Sequence, residues 1–253
     1  MITYKRLTDF GIQATDGDIG RCKDVLFDDQ NYFLRYFVAD TNKWLPLGRK
    51  VVLSPISLIE INKQDEILVV AMSKQELKES PSIDEHKPLS REYEETLFKY
   101  FGYGYYWVGP GAWGDFSHPT ELVNQEFFEQ DMANREHKPV NHLRSCEEVH
   151  GYDVATEDED TGHITDFVID SDNWALKLLI VDTRNWLPGG KKVALPPSCV
   201  SSIDWSTHKI HVQLTHDAVM DLPEFEEDKV EDKDYLNTLE AEAYSMLSPK
   251  IKG

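Results

Sequence analysis

The stretch from Asp40 to Pro55, DTNKWLPLGRKVVLSP, returns 142 positions later, from Asp182 to Pro197, as DTRNWLPGGKKVALPP. An internal repeat constrains architecture more than any single residue can. The same offset pairs Gly20 with Gly162, Asp24 with Asp166, Asp28 with Asp170, Asn31 with Asn173 and Leu34 with Leu176. Further on it pairs Ile61 with Ile203, Pro81 with Pro223, Tyr93 with Tyr235 and Leu97 with Leu239. No insertion is needed between Gly20 and Leu97, so turns and strands keep their lengths in both copies. Two long units exclude a solenoid, which stacks many short ones. They point to duplicated domains in tandem, related by a pseudo-two-fold.

Each copy carries short apolar runs rich in β-favouring residues. Cys22 to Asp28 and Leu34 to Asp40 flank the turn Asp29-Gln30-Asn31; Ile164 to Asp170 and Leu176 to Asp182 flank Ser171-Asp172-Asn173. Such pairs read as hairpins. Lys50 to Leu53 and Lys192 to Leu195 read as following strands stopped by Pro55 and Pro197. Last strands fall at Glu66 to Met72 and Lys209 to Leu214, where Ile210, Val212 and Leu214 alternate with His211 and Gln213. Five or so short strands with Gly and Pro at the bends predict a small, partly closed β-barrel in each copy.

Helices are predicted after each barrel. Ser73-Lys74-Gln75-Glu76 has the capping-box pattern, and Thr215 occupies the same place in copy two without the Glu. Ser90 to Phe101 puts Tyr93, Leu97, Tyr100 and Phe101 on one face before Gly102, and Asp232 to Leu247 carries Tyr235, Leu239, Ala243 and Met246. A third helix is expected over Thr120 to Ala133. The predicted organisation is a first barrel over 1–81, a helix, a Gly/aromatic linker and a second helix over 82–142, a second barrel over 143–223, and an acidic helical tail over 224–253.

Charge narrows the partners. Lys and Arg total 26 against 46 Asp and Glu, a formal charge of -20, with no basic run anywhere. Such a field repels nucleic acid and anionic lipid and argues against direct nucleic-acid binding. Cys22, Cys146 and Cys199 form no spaced pair, which fits reduced thiols in a cytoplasmic protein. Neither a leader nor an apolar run of roughly 18 to 20 residues is present, so no integral membrane segment is expected.

The candidate chemistry reads as structural. Trp44 and Trp186 are expected to anchor a loop to the core, stiffened by Pro46 and Pro188, with Gly48 and Gly190 where a side chain would clash. The repeated carboxylates at Asp28, Asp40, Asp170 and Asp182 lie at strand ends, where they accept backbone hydrogen bonds. His208 and His211 lie on turn and strand, away from helical metal-ligand spacing. No catalytic, cofactor or metal site is assigned. Gly102 to Phe116 stands apart, dense in glycine and aromatics and without a counterpart in copy two. Packing within the chain, over a barrel end or in the groove between barrels, is the first expectation for it; if exposed, Tyr105, Trp107, Trp113 and Phe116 are the candidate interaction residues, forming the interface between barrels or to a second subunit.

These elements in this order resemble the PRC-barrel family, over Leu7 to Pro81 and again over Val149 to Pro223. They comprise Gly-x-x-x-Asp before a strand, an Asp turn, an apolar strand ending in Asp, Trp-Leu-Pro-x-Gly, and a Leu-x-Pro stop. The family includes the cytoplasmic domain of the photosynthetic reaction-centre H subunit and, more distantly, the C-terminal barrel of the ribosome maturation factor RimM. The chain is similar to free-standing two-barrel bacterial members. The H subunit's membrane helix and RimM's distinct N-terminal barrel have no counterpart in this sequence. The resemblance implies a non-enzymatic scaffold or adaptor that binds a protein partner or itself. By analogy it also raises a ribosome-assembly or RNA-processing role acting through protein contacts, and more weakly a photosynthetic or electron-transport association.

Overall fold

The computed structural model describes residues 1–41, 50–81, 89–123, 142–184 and 190–247. The chain begins with a two-residue strand β1 (Ile2–Thr3) and a single turn α1 (Tyr4–Leu7). Then follow β2 (Gly11–Ala14), β3 (Gly17–Asp28), β4 (Phe33–Asp40), β5 (Val51–Leu53), β6 (Leu58–Asn62) and β7 (Ile67–Val70). Two helices, α2 (Lys74–Glu79) and α3 (Arg91–Phe101), come next. The second repeat retraces this path as β8 (Leu143–Ser145), α4 (Cys146–Val149), β9 (Asp153–Ala155), β10 (Asp160–Ile169), β11 (Leu176–Asp182), β12 (Lys192–Leu195), β13 (Val200–Asp204), β14 (Lys209–Val212), α5 (His216–Asp221) and α6 (Lys233–Met246).

The chain divides into two compact units, and the division does not follow the sequence. The first-repeat unit holds Leu7–Ser145 with Asp172–Trp174; the second-repeat unit holds Met1–Arg6, Cys146–Ser171 and Ala175–Gly253. Each contains a seven-stranded sheet, ordered β5-β4-β3-β2-β7-β6 with β8 on β3, and β12-β11-β10-β9-β14-β13 with β1 on β10. The pairs β2–β7 and β9–β14 are parallel and the remainder antiparallel. The fold is mainly β, as expected, but each sheet has seven strands rather than five, and the sheets do not close into barrels. The path ends at β5 and β6 in one unit and at β12 and β13 in the other. The reason lies in the prolines. Pro55 and Pro197 open 3-10 turns (Pro55–Ser57, Pro197–Cys199) that lift the chain off the ladder just after β5 and β12. A proline has no N–H with which to extend that ladder.

The leading strand of each repeat is received by the sheet built mainly from the other. Ile2 and Thr3 pair with Ile169 and Val168 on β10. Arg144 and Ser145 pair with Phe27 and Leu26 on β3, the same register moved by 142 positions. A carboxylate anchors both junctions. Asp166 Oδ1 accepts from Lys5 N at 3.1 Å and from Phe167 N at 2.8 Å. Asp24 accepts from Ser145 Oγ at 2.6 Å and from Val25 N at 2.7 Å. Both aspartates follow a register break in the ladder, between Cys22 and Asp24 and between Ile164 and Asp166. A bulge re-aims the side chain after it, which turns the carboxylate toward the incoming segment. Burial pushes the Asp166 carboxyl above its ordinary range, opposed by the backbone N–H groups of Lys5 and Phe167.

Backbone strain repeats as well. Among the described residues the non-glycine positive φ angles fall at Tyr32 and Trp174 (56° and 67°) and at Glu66 and His208 (both 55°), two pairs at the same offset. They close the same two hairpins in each copy. Helix boundaries follow the predicted caps: Ser73 and Glu76 form the capping box of α2, Thr215 caps α5, Ser90 caps α3, Gly102 ends it at φ 71°, and Asp232 caps α6. The helix expected over Thr120 to Ala133 is replaced, in its described part, by a 3-10 turn at Pro119–Leu122, after which Val123 bridges to Tyr103. The second core packs Val168, Leu178, Ile180, Ala194, Phe225, Leu236 and Leu239 between the sheet and α6.

Gly20 has φ 127°, and a Cβ there would collide with the carbonyl oxygen of Asp40. At Gly162 the Asp182 carbonyl oxygen would stand 2.5 Å away. The first strand of each hairpin therefore needs glycine where its partner ends. Gly20→Ala is expected to destabilise the chain by about 1–3 kcal/mol. Urea unfolding followed by tryptophan fluorescence would measure it, and an unchanged midpoint would remove this account of the Gly-x-x-x-Asp signature.

Candidate functional site

Several signature residues sit where their strand-end chemistry requires. Asp28 Oδ1 accepts from Gln30 N at 2.9 Å and Asn31 N at 3.2 Å, closing the β3–β4 turn. Asp182 accepts from Arg184 N at 2.9 Å and is held below the usual carboxylate range, first by the Arg184 side chain. Asp170 is buried, whereas Asp40 is exposed. A Cβ on Gly190 would collide with the Thr183 carbonyl oxygen. Trp44, Pro46, Gly48, Trp186 and Pro188 lie outside the described residues.

The aromatic stretch after α3 packs inward. Trp113 is fully buried, Tyr105 and Tyr106 are buried, and Trp107 and Phe116 are half-buried. Phe98 of α3 is the hub, with ring centroids 5.3 Å from Trp107, 5.9 Å from Tyr106, 5.9 Å from Tyr103 and 6.2 Å from Tyr105. Trp113 Nε1 donates to the carbonyl oxygen of Asn173 at 2.8 Å. Trp174, next in the chain, packs edge-on against Phe37 at 4.9 Å, and its carbonyl accepts from Leu34 N at 2.8 Å. The loop thus seats the Asp172–Trp174 turn, which belongs to the same unit.

Beneath this loop lies a polar cluster that sequence reasoning missed. Glu94 of α3 is buried; its Oε1 accepts from Tyr36 Oη at 2.8 Å and Tyr106 Oη at 2.7 Å, and its Oε2 lies 3.1 Å from Arg91 Nη1. Arg35 is also buried, with its guanidinium carbon 3.9 Å from the Tyr106 ring centroid and 4.7 Å from that of Trp113. It donates to Asp28 Oδ2 at 3.2 Å and to the Ala112 carbonyl. Arg91 stacks over Trp107 at 4.0 Å. Two arginines therefore grip the loop by its ring faces while their N–H groups bind carboxylates, a use that lysine cannot match. Among the described residues Arg35 Nε and Trp107 Nε1 have no hydrogen-bond partner. Burial pushes the Glu94 carboxyl above its ordinary range, against the pull of Arg91 and the two tyrosine hydroxyls. Burial, and then Glu94, drive the Tyr36 and Tyr106 hydroxyls well above theirs.

The signal for this cluster lay in the repeat itself. Tyr36, Glu94 and Arg35 correspond to Leu178, Leu236 and Lys177. Leu178 and Leu236 share the plain apolar core of the second unit. Polar groups in one copy at positions that are apolar in the other mark a change made for something other than core burial.

One hydroxyl–imidazole pair invites comparison with a nucleophile and base. Thr161 Oγ1 lies 2.9 Å from His216 Nδ1, and Glu159 Oε1 lies 3.7 Å from the same nitrogen. A catalytic triad uses opposite ring nitrogens for the hydroxyl and the carboxylate, and Thr161 is fully buried. The first repeat has Ile19 and Lys74 at these positions. What both copies keep is a carboxylate accepting from the helix N–H, Asp158 from His216 N and Asp16 from Lys74 N, each at 2.8 Å. The pair belongs to a helix start. The three cysteines are buried, and burial raises the Cys22 thiol far above its ordinary value and the Cys199 thiol to about 11. His208 stacks on Tyr152, and among the described residues no three His, Cys, Asp or Glu side chains gather as a metal site.

The second repeat is built on a seven-stranded sheet with a 3-10 turn, Pro197–Cys199, between β12 and β13. Residues 142–219 match the PRC-barrel domain family. No curated protein matches the chain. Among the described residues no helix is long and apolar enough to cross a membrane.

Two outcomes follow for the cluster. Glu94→Leu alone leaves Arg91 and two hydroxyls short of an acceptor and is expected to cost about 3 kcal/mol. Adding Tyr36→Leu, which restores the leucine pair of the second unit, should recover part of that loss in urea unfolding; a double variant worse than the two singles combined would contradict it. The pH dependence has a definite sign. A carboxyl raised in the folded state favours folding fully below its unfolded value near 4.5 and loses that contribution as pH rises through the folded value. Wild type should therefore gain stability relative to Glu94→Gln between neutral pH and pH about 5, and a gap independent of pH would count against the buried carboxyl.

Proposed function

We propose that the protein is a non-enzymatic scaffold with two PRC-type barrels in tandem, working in the cytoplasm by binding a protein partner through its first repeat. That the first repeat is a second PRC-type domain is supported by the strand order, the parallel pair, the register breaks and the strained turns it shares with the second. One observation carries the choice of partner surface. In the first-repeat unit Ile59 is 62 % exposed, Tyr100 41 % and Val123 40 %, whereas the exposed large apolar residues described in the second-repeat unit, Tyr244 and Met246, both lie on α6. The second repeat has Ser201 and Glu242 at the positions of Ile59 and Tyr100. Exposed apolar side chains rimmed by charge mark protein contacts, and the formal charge of -20 favours a protein over a nucleic acid.

The test transplants the second repeat's residues. Ile59→Ser with Tyr100→Glu, in the full chain, should keep the fold by circular dichroism and lose the proteins that wild type captures on affinity purification from the native cell. A captured set identical to that of wild type would overturn the reading.

A further inference from the structure

We propose that the protein partner binds as an added β-strand, an extended segment carrying apolar and basic residues laid along the outer edge of β6. Such a strand would be what engages Ile59, so this mode of binding rests on the partner surface proposed above. Among the described residues no strand lies beyond β6, which ends the sheet of the first-repeat unit. Two bonds fix how its backbone is turned. Gly11 N donates to the Glu66 carbonyl and Ala71 N to the Ser57 carbonyl, both at 2.8 Å. Alternate residues of β7 therefore face β2 and β6, with Ile67 and Val69 on the β6 side. Glu60 and Asn62 lie opposite Val69 and Ile67, so they give their N–H and C=O groups to β7. Ile61, between them, turns its own N–H and C=O outward. An open edge of this kind is a template for another chain.

The other sheet ends are less available. At the matching register break of β13, the Ser201 hydroxyl donates to the His211 carbonyl at 3.1 Å. On β12 the Lys192 carbonyl accepts from Phe225 N at 2.8 Å, and all three side chains of β5 are buried. The β6 edge also adjoins the other exposed apolar residues. Ser57, just before β6, meets the Tyr103 hydroxyl, and the turn Pro55–Ser57 packs against Pro119–Leu122. Tyr103 bridges to Val123 and stacks on Phe101 at 5.6 Å, and Tyr100 meets Phe101 edge-on at 4.8 Å. Charge then selects the occupant. Glu60, Asp65 and Glu66 are exposed on β6 and the turn that follows, in a chain of formal charge -20. Two copies paired edge to edge would set these carboxylates against each other, whereas a basic segment is drawn to them.

The probe is the peptide Lys-Val-Lys-Val-Lys-Val, amidated and labelled with fluorescein at its N-terminus, titrated against the full chain by fluorescence anisotropy. Ile61→Pro removes the outward N–H and leaves the bonds to β7, at the kind of edge position where a strand tolerates proline. Circular dichroism checks its fold, and binding is expected to weaken roughly tenfold. A second arm leaves the protein unchanged. Two versions of the peptide, N-methylated at alternate amides, should differ by a similar factor, because only one set of N–H groups faces β6. Equal binding of the two methylated peptides, equal binding to wild type and a folded Ile61→Pro, or no binding to wild type at millimolar peptide would each overturn the proposal; equality is the result expected of charge attraction alone. Affinity purification separates this failure from that of the surface. If Ile61→Pro keeps the captured proteins that Ile59→Ser with Tyr100→Glu loses, the partner surface stands and the added strand does not.

Discussion

The carboxylates of Asp24 and Asp166 decide how this chain is put together. Each is buried at a bulge, and each is satisfied by a backbone N–H beside it and by a donor from the front of the other repeat, Lys5 N just after β1 or Ser145 Oγ on β8. A buried carboxylate left without donors costs several times what a satisfied one contributes. The incoming strand is therefore part of each sheet's stability. Neither sheet is complete from contiguous sequence, and the folding of one repeat is tied to the presence of the other's first residues.

Duplication provides an internal comparison that a single domain could not. The second unit places Leu178 against Leu236 in an ordinary core. The first places Tyr36 against Glu94, adds Arg91 and Arg35, and lays an aromatic loop on top. For stability alone the leucine pair is the better solution, since replacing buried ionic groups by packed hydrophobes is often neutral or favourable. What the polar version adds is geometry. Guanidinium planes stacked on Tyr106, Trp107 and Trp113 fix the loop in one arrangement, and that arrangement seats the Asp172–Trp174 turn.

The repeat, the long strands and the capped helices were all readable, because a constant offset and side-chain caps are local properties of sequence. Gly190 and Asp28 were legible for the same reason. The short strands β1, β2, β6, β8, β9 and β13 were not, since two to five residues are too few to carry a period, and unlike β5 and β12 they have no proline stop to mark them. Strand exchange was hidden more deeply. Ile2 and Thr3 would suit a groove in either repeat, and only the far end of the pairing settles which. The arginine–aromatic cluster was disguised differently. Glu94 falls in the first turn of a helix, where an acidic residue is ordinarily an exposed partner of the dipole. The one local sign of it is the mismatch of Glu94 with Leu236 at the 142-residue offset. The rings of Tyr105, Trp107 and Trp113 pack around Phe98 and Tyr106 within their own unit.

A division of labour between the copies explains why the differences fall on one side. Once each repeat depends on a strand from the other, neither can be lost, but only shared features such as Gly20 and Gly162, the anchoring aspartates and the strained turns need to stay the same. Positions outside that common frame are free to diverge. In the second repeat they have remained plain: a leucine core, and Ser201 and Glu242 on the surface. In the first they have changed together, with Glu94 and Arg35 inside and Ile59 and Tyr100 outside. A contiguous exposed apolar patch marks a docking surface or an aggregation liability. Tyr100 lies on the helix that carries Glu94 and Phe98, and its hydroxyl donates to the Glu76 carbonyl at 3.0 Å. The buried network and the exposed Tyr100 ring are carried by one helix, so the polar contacts of Glu94 hold the backbone from which Tyr100 projects.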